Sequence, residues 1–204
     1  RPYTYPAGRI DIPSPGGRDG AVKYTDYAIG KFIKDASKKP WFKDTLFVIV
    51  ADHCASAAGK TRLPVTGYHI PLIFYAPALL KPAVFAPIVS QIDIAPTLME
   101  VLGKNGSAQF FGRSMFDPGP PAERAFISNY QALGYLKNNM LTVLLPKQVV
   151  ESYQVDPKTL ATTPAPVNQQ LLDETIAYYQ TASKAFKTGA LKAPFYKEAA
   201  PSKP

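Results

Sequence analysis

The chain has 204 residues, of which 46% are hydrophobic and 12% aromatic, a composition that is typical of a folded globular protein and excludes a disordered one. The 23 basic and 15 acidic residues give a formal net charge of +8, which favours anionic ligands such as phosphate esters. The basic residues are scattered, and no basic helix interleaved with aromatic residues is predicted, so we expect no nucleic-acid partner.

Other bulk features limit the class of protein further. The single cysteine, Cys54, excludes a disulfide framework within the chain. No apolar run approaches the roughly 18 residues that a membrane span needs. The chain opens on Arg1 in a proline-rich segment, and we therefore expect it to be the carboxy-terminal part of a longer protein.

The first predicted elements are a loop, a helix and a buried strand. Prolines and glycines exclude regular structure over residues 1–20, and apolar residues at helical spacing predict a helix over residues 21–37. A continuous apolar run follows at residues 45–51. Such a run is typical of a strand buried on both faces, as in a parallel sheet covered by helices.

The rest of the chain predicts a second buried strand, a helix, two strands of a meander and a late helix. These elements cover residues 70–76, 90–103, 125–130 with 140–145, and 167–186. Gly134, Asn138 and Asn139 supply turn residues between the meander strands. The order of elements predicts an α/β fold with a largely parallel sheet flanked by helices, followed by a small carboxy-terminal β-meander plus helix.

Three polar residues stand at the ends of the two buried strands. Asp52 and His53 directly follow the first strand, and a carboxylate with an imidazole suits Zn²⁺ or Mn²⁺. His69 immediately precedes the second strand, and adjacent strands would place it at the same sheet edge as His53. Ligands of α/β folds bind at such an edge. The alternative for the same residues is a capped turn and a strand-end histidine.

The segment between the two histidines is small, polar and basic. Lys60 and Arg62 suit a tetrahedral anion, because cations offset the charge on its oxygens. A phosphate-binding P-loop is excluded, since the position that needs its first glycine holds Cys54. A Cys54 nucleophile is disfavoured, because a neighbouring residue such as His53 rarely has the geometry to act as its base.

Four segments in order resemble the later half of sulfatase-type members of the alkaline phosphatase superfamily. They are residues 45–53 (TLFVIVADH), 68–77 (YHIPLIFYAP), 91–98 (QIDIAPTL) and 111–115 (FGRSM). Within that superfamily the chain looks most similar to the bacterial lipoteichoic acid synthase and phosphoglycerol transferase branch. The resemblance implies that residues 1–116 are the carboxy-terminal part of a sulfatase-type catalytic domain and that residues 117–204 are an extension packed on it.

The resemblance also implies residue roles. Asp52 and His53 match the family's paired ligands for a divalent ion, which would be Mn²⁺, Mg²⁺ or Zn²⁺. His69 matches a histidine that serves a second metal or the substrate's phosphate. Lys60 lies where sulfatases often contact substrate, and Arg1 lies next to an expected active-site histidine upstream. The nucleophile is expected upstream of Arg1, so we predict no catalytic nucleophile in this chain.

The function implied is metal-dependent transfer of a phosphoglycerol-type unit through a covalent phospho-enzyme. The substrate would be an anionic phospholipid or another phosphate or sulfate ester. An absent upstream segment would anchor the protein in the bacterial inner membrane, with the catalytic part facing the periplasm or cell exterior. Two alternatives stay open: a sulfatase or phosphodiesterase that hydrolyses soluble esters, and a non-catalytic fragment that binds anions or a partner.

Overall fold

The computed structural model describes residues 2–54, 63–104, 110–116 and 123–190. The chain divides into two compact units by packing. Unit 1 comprises Arg1–Val50 and Pro71–Val84, and unit 2 comprises Ala51–Ile70 and Phe85–Pro204. The predicted division at residue 116 stays a prediction, because it rests on motifs rather than on packing.

Unit 1 contains one helix and one pair of strands, and these confirm the elements predicted there. They are α1 (Arg18–Ala36), β1 (Phe47–Val50) and β2 (Leu72–Tyr75). Phe47 lies at the centre of an aromatic cluster, with ring centroids 5.9 Å from Phe32 and 5.5 Å from Phe42. These ring contacts join α1 and the turn that follows it to the first strand.

The two strands of unit 1 pair in the antiparallel sense, so the predicted parallel arrangement is wrong for this pair. Phe47 stands opposite Tyr75, and Val50 stands opposite Leu72. In an antiparallel pair the end of the first strand and the start of the second lie at the same edge, whereas parallel strands would separate them. Val50 and Ile73 are 40% and 50% exposed, so the described residues do not bury these two strands on both faces as predicted.

Unit 2 contains a short helix, a five-stranded antiparallel meander and a long helix. Its elements are α2 (Ile94–Val101), β3 (Arg124–Ser128), β4 (Leu133–Lys137), β5 (Met140–Leu144), β6 (Val150–Val155), β7 (Thr162–Pro164) and α3 (Gln169–Thr188). Each strand pairs with the next in the chain. The predicted meander is confirmed, and it has five strands where two were expected.

The connection between the two predicted meander strands differs from expectation. Gly134 lies inside β4 and not in a turn, and a Cβ there would come within 2.7 Å of the Leu63 side chain and 2.9 Å of the Ile127 side chain. The turn itself is formed by Asn138 and Asn139, with φ of 51° and 57°. Asparagine tolerates this left-handed conformation, which a two-residue hairpin turn of type I′ requires at both positions.

The hydrophobic core of unit 2 joins the meander to the segment that includes Leu63 and Val65. It is formed by the buried side chains of Leu63, Val65, Ile127, Ala132, Leu136, Leu141, Val143 and Val155. Tyr135 makes a separate aromatic contact with α3, in which its ring centroid lies 5.5 Å from that of Tyr178. The meander therefore packs against both the segment after residue 62 and the late helix.

Helix α3 begins and ends with regular capping interactions. The Asn168 side chain accepts a hydrogen bond from the Leu171 backbone N–H at 3.1 Å, and Gly189 ends the helix in the left-handed conformation with φ of 70°. Tyr179 donates to the Gly134 carbonyl at 2.9 Å, and burial raises the pKa of Tyr179 to about 12. Among the described helices, none has the length and apolarity that crossing a membrane demands.

The contact of α3 with β4 predicts a pH-dependent contribution to stability. Burial alone would raise the pKa of Glu174, but hydrogen bonds from Lys137 at 2.7 Å and Tyr135 at 3.0 Å outweigh it and lower the pKa. A carboxyl with a lowered folded-state pKa stabilises the fold above its unfolded pKa and loses that contribution as pH falls.

We expect Glu174→Gln to lower the free energy of unfolding by about 1 kcal/mol at pH 7. The gap to the parent protein should close as the pH falls below about 4.3, the unfolded value, and through the lower folded pKa. Urea denaturation at a series of pH values measures this difference in unfolding free energy, and Glu100→Gln, at an exposed position, is the control. A gap that stays constant from pH 7 to pH 3 would argue against this role.

Candidate metal site

Asp52 and His53 follow β1 in the chain and present both side chains to solvent. Their side chains are 88% and 70% exposed, and the Asp52 Oδ2 and His53 Nε2 atoms lie 3.5 Å apart. The His53 backbone N–H donates to Asp52 Oδ1 at 2.9 Å, so Oδ2 is the oxygen that faces the His53 ring. The structure therefore brings the predicted acid and imidazole together as one exposed pair.

The ring of His53 is oriented by its own backbone surroundings. Its Nδ1 lies 3.0 Å from the Cys54 carbonyl oxygen. Since a carbonyl only accepts, this contact places a proton on Nδ1, and in the neutral form of the ring the free lone pair is then on Nε2. Metal-bound histidines commonly have this arrangement, with one ring nitrogen donating to a carbonyl and the other on the ion.

The spacing of the two atoms fits a single ion. Oxygen and nitrogen ligands about 2.0–2.2 Å from a tetrahedral zinc stand about 3.3–3.6 Å from each other. The observed 3.5 Å between Oδ2 and Nε2 lies within that range. Within residues 2–54, 63–104, 110–116 and 123–190, however, no group of three or more His, Cys, Asp or Glu side chains is close enough to hold an ion. Asp52 and His53 would therefore supply two ligands, and an ion would need others from elsewhere.

The other predicted site residues are placed less fully. His69 is exposed, and its backbone carbonyl accepts a hydrogen bond from Cys54 Sγ at 3.2 Å. The chain before β2 therefore lies beside the chain after His53, as predicted from the strand ends. Lys60 and Arg1 lie outside the described residues, so their proposed roles stay predictions. The Cys54 thiol donates to the His69 backbone and not to the His53 ring.

One residue at this site has no counterpart in the sequence predictions. The side-chain amide of Gln91 donates to the Ala51 and Asp52 carbonyls, both at 3.1 Å. Gln91 lies in one of the four family-like segments and within the helix predicted over residues 90–103. An exposed glutamine 39 residues from its partner carries no signal of this contact in a single sequence.

The residues just after Gln91 form a buried polar cluster. Asp93 and Arg124 are each 2% exposed and pair through two hydrogen bonds of 3.1 and 3.0 Å. The backbone N–H groups of Ser90 and Arg113 also donate to the Asp93 carboxylate, each at 2.9 Å. Two donors on each oxygen fill the acceptor capacity of this carboxylate. The sequence alone places Asp93 only in the predicted helix over residues 90–103 and predicts no role for Arg124.

Thr97 extends the same cluster to a second family-like segment. It is fully buried, donates to the Asp93 backbone carbonyl at 2.6 Å and accepts from the Met115 backbone N–H at 2.9 Å. Gly112 packs so closely here that a Cβ would lie 1.9 Å from the Ile92 carbonyl oxygen. The segments at 91–98 and 111–115 therefore share one structural role, which is to hold each other in place.

Comparison with solved structures identifies the fold. The chain is similar to a protein in the alkaline phosphatase superfamily from Vibrio parahaemolyticus, with a TM-score of 0.85 and 32% sequence identity. The match covers 92% of this chain and 46% of that one, so the chain spans about half the length of this relative. The predicted α/β fold class, alkaline phosphatase-like and partial, is confirmed.

A family comparison agrees with the structural one. Residues 4–104 match the Sulfatase family model, a range that contains Asp52, His53, His69 and Gln91. Together the two findings support placing the chain in the alkaline phosphatase superfamily, as the resemblance implied. The narrower lipoteichoic acid synthase branch stays a proposal.

Breaking the Asp93–Arg124 pair should destabilise the protein strongly. We expect Arg124→Met to lower the free energy of unfolding by about 3–5 kcal/mol, because it leaves a buried carboxylate without its counter-charge. Lys31→Met, which breaks an exposed pair with Asp35, should have a much smaller effect. Denaturant titration compares the two variants. Equal losses of unfolding free energy in the two variants would show that the buried pair stabilises the protein no more than the exposed pair does.

Two glycine substitutions should act in opposite directions. Gly112→Ala places a methyl group against the Ile92 backbone and should cost about 3 kcal/mol or more. Gly30→Ala meets nothing within 4 Å inside α1 and should stabilise the helix by about 1 kcal/mol. Thermal unfolding should therefore shift down for the first variant and up for the second, and a neutral Gly112→Ala would refute the close contact.

Proposed function

We propose that the protein to which this chain belongs is a metal-dependent enzyme that transfers phosphoryl or sulfuryl groups between esters and an acceptor. The observation that carries the proposal is the exposed pair of Asp52 Oδ2 and His53 Nε2, 3.5 Å apart with both atoms available for an ion. The superfamily supported by the comparisons acts on such esters and generally uses divalent metals.

In this proposal Asp52 and His53 hold a divalent ion, Mn²⁺, Mg²⁺ or Zn²⁺. When bound, the ion supplies positive charge that stabilises oxygen atoms of the reacting group. Asp52 binds through Oδ2 while its Oδ1 keeps the His53 backbone in place, and His53 binds through Nε2. His69, Lys60 and Arg1 would bind the anionic oxygens of the substrate or, for His69, a second ion. The nucleophile would come from outside this chain.

More narrowly, we propose that the substrate is an anionic phospholipid and that a phosphoglycerol-type unit is transferred through a covalent phospho-enzyme. The opening residues 1–6 (RPYTYP) resemble the segment that follows an active-site histidine in this branch, and the net charge of +8 suits an anionic substrate. The protein would then be held in the bacterial inner membrane by a segment outside this chain. Its catalytic part would face the periplasm or cell exterior.

A second candidate function is hydrolysis of soluble sulfate or phosphate esters. The family model that matches residues 4–104 is that of the sulfatases, which favours this alternative. The two functions share a site and differ in the acceptor. Incubation of the intact protein with phosphatidylglycerol vesicles and with an aryl sulfate separates them, because transfer to an alcohol acceptor occurs only in the first.

The metal role of Asp52 is tested by substitution. We expect Asp52→Ala to weaken Mn²⁺ binding by more than about 100-fold, since loss of a ligand exceeds the usual effect of losing an outer-shell partner. Turnover of either substrate should fall with it. The exposed Asp26→Ala in α1 serves as the matched control.

Isothermal titration with Mn²⁺ and turnover of the two substrates give the readouts. Unchanged ion binding and unchanged turnover in Asp52→Ala would overturn the metal role of Asp52. A parent protein that neither binds Mn²⁺ nor turns over either ester would overturn the proposed enzyme function and favour a non-catalytic protein that binds anions or a partner.

A further inference from the structure

The side-chain amide of Gln91 contacts the two backbone carbonyls that flank the Cα atom of Asp52, a proposed ligand. The Ala51 carbonyl belongs to the peptide group before the Asp52 Cα, and the Asp52 carbonyl belongs to the peptide group after it. The Gln91 nitrogen lies 3.1 Å from each oxygen. Because both partners only accept, the nitrogen and not the oxygen of the amide faces them, and its two hydrogens serve one carbonyl each.

The peptide group between Asp52 and His53 is held at both of its ends. Its carbonyl accepts from Gln91, and its N–H donates to Asp52 Oδ1 at 2.9 Å. This group connects the two proposed ligands, so its orientation sets the direction in which each side chain leaves the backbone. The direction of the Asp52–His53 pair is thus determined by hydrogen bonds and not by the local sequence alone.

Gln91 itself stands on a rigid support. It is the first residue of a 3-10 turn, Gln91–Asp93, which begins with a reciprocal pair of hydrogen bonds between Ser90 and Asp93. Asp93 is fixed in turn by the buried Arg124. The exposed loop that carries the ligands is therefore tied to the buried polar cluster of unit 2 through one side chain.

We propose that Gln91 is a positioning residue that sets Asp52 and His53 in the orientation that binds one divalent ion. The inference rests on the proposed metal function of that pair. In this role the Gln91 nitrogen acts through the two carbonyls and not on the ion. With the loop ordered in advance, the ion binds without the entropic cost of fixing the backbone.

Glutamine suits this task better than residues of similar size. Glutamate has the same length but places an acceptor against two carbonyl oxygens, which repel it. Methionine has a similar length and no donor. Lysine keeps donors but brings a positive charge close to a cation. Gln91 supplies two donors at this reach with no net charge.

The test measures Mn²⁺ binding by isothermal titration and the thermal unfolding of the metal-free form, both on the intact protein. We expect Gln91→Met to weaken Mn²⁺ binding about tenfold, at the lower end of the range for outer-shell partners, with an unchanged unfolding temperature. Gln91→Glu should weaken it at least as much. Gln131→Met, an exposed glutamine of the same unit, should bind Mn²⁺ like the parent protein.

Saturation with Mn²⁺ gives a second readout. The ligands are intact in Gln91→Met, so excess ion should restore its turnover close to the parent value, whereas it should not rescue Asp52→Ala. A purely structural role would not produce this recovery together with an unchanged unfolding temperature.

The outcomes separate this inference from the proposed function. Parent-like Mn²⁺ affinity in Gln91→Met together with lost affinity in Asp52→Ala would overturn the positioning role and leave the metal site in place. Parent-like affinity in Asp52→Ala would overturn the site itself. A Gln91→Met protein that unfolds at a much lower temperature without metal would show that Gln91 supports the fold, which also contradicts the inference.

Discussion

The structure of unit 2 depends on one buried carboxylate, that of Asp93. Its two oxygens accept four hydrogen bonds, two from Arg124 and one each from the backbone of Ser90 and Arg113. These donors come from the turn before α2, from the segment at 110–116 and from the first strand of the meander. Removing a charge from water costs several kcal/mol, so the carboxylate is tolerated only while all of these segments are in place. The ion pair thereby couples segments that are far apart in sequence.

Two aspartates in the same unit illustrate how environment separates a structural role from the proposed metal-binding role. Asp93 is 2% exposed and has every acceptor position filled, so it has no oxygen to offer an ion. Asp52 has a side chain that is 88% exposed; its Oδ1 accepts from the His53 backbone, and its Oδ2 lies 3.5 Å from His53 Nε2. Gln91, two residues before Asp93, connects the two environments. The buried cluster can thus orient the Asp52 backbone through Gln91 without a hydrogen bond from Gln91 to the Asp52 carboxylate.

Local patterns predicted the helices and the first strands because these depend on neighbouring residues. The periodicity at 21–37 and 167–186 corresponds to α1 and α3, and the apolar runs at 45–51 and 70–76 correspond to β1 and β2. The direction of strand pairing was not predictable from these runs, since it depends on contacts between distant segments. Gly134 suggested a turn by residue type, but its role is close packing within a strand.

The site was predictable to a similar degree. Asp52 and His53 were found because their residue types and their place after a buried strand are informative in a single sequence. The antiparallel pairing of β1 and β2 explains why a residue after the first strand and a residue before the second return to the same edge, which the predicted parallel sheet would not have allowed. Gln91 and Arg124 act through contacts 39 and 31 residues away in sequence, and no local pattern marks them.

The central claim is that Asp52 and His53 bind one divalent ion together. Anomalous X-ray diffraction from crystals of the intact protein grown with Mn²⁺ or Zn²⁺ tests it most directly. We predict an anomalous peak about 2.0–2.2 Å from both Asp52 Oδ2 and His53 Nε2, with further ligands from outside this chain. An ion bound entirely by other residues, with both of these side chains left in solvent, would contradict the claim.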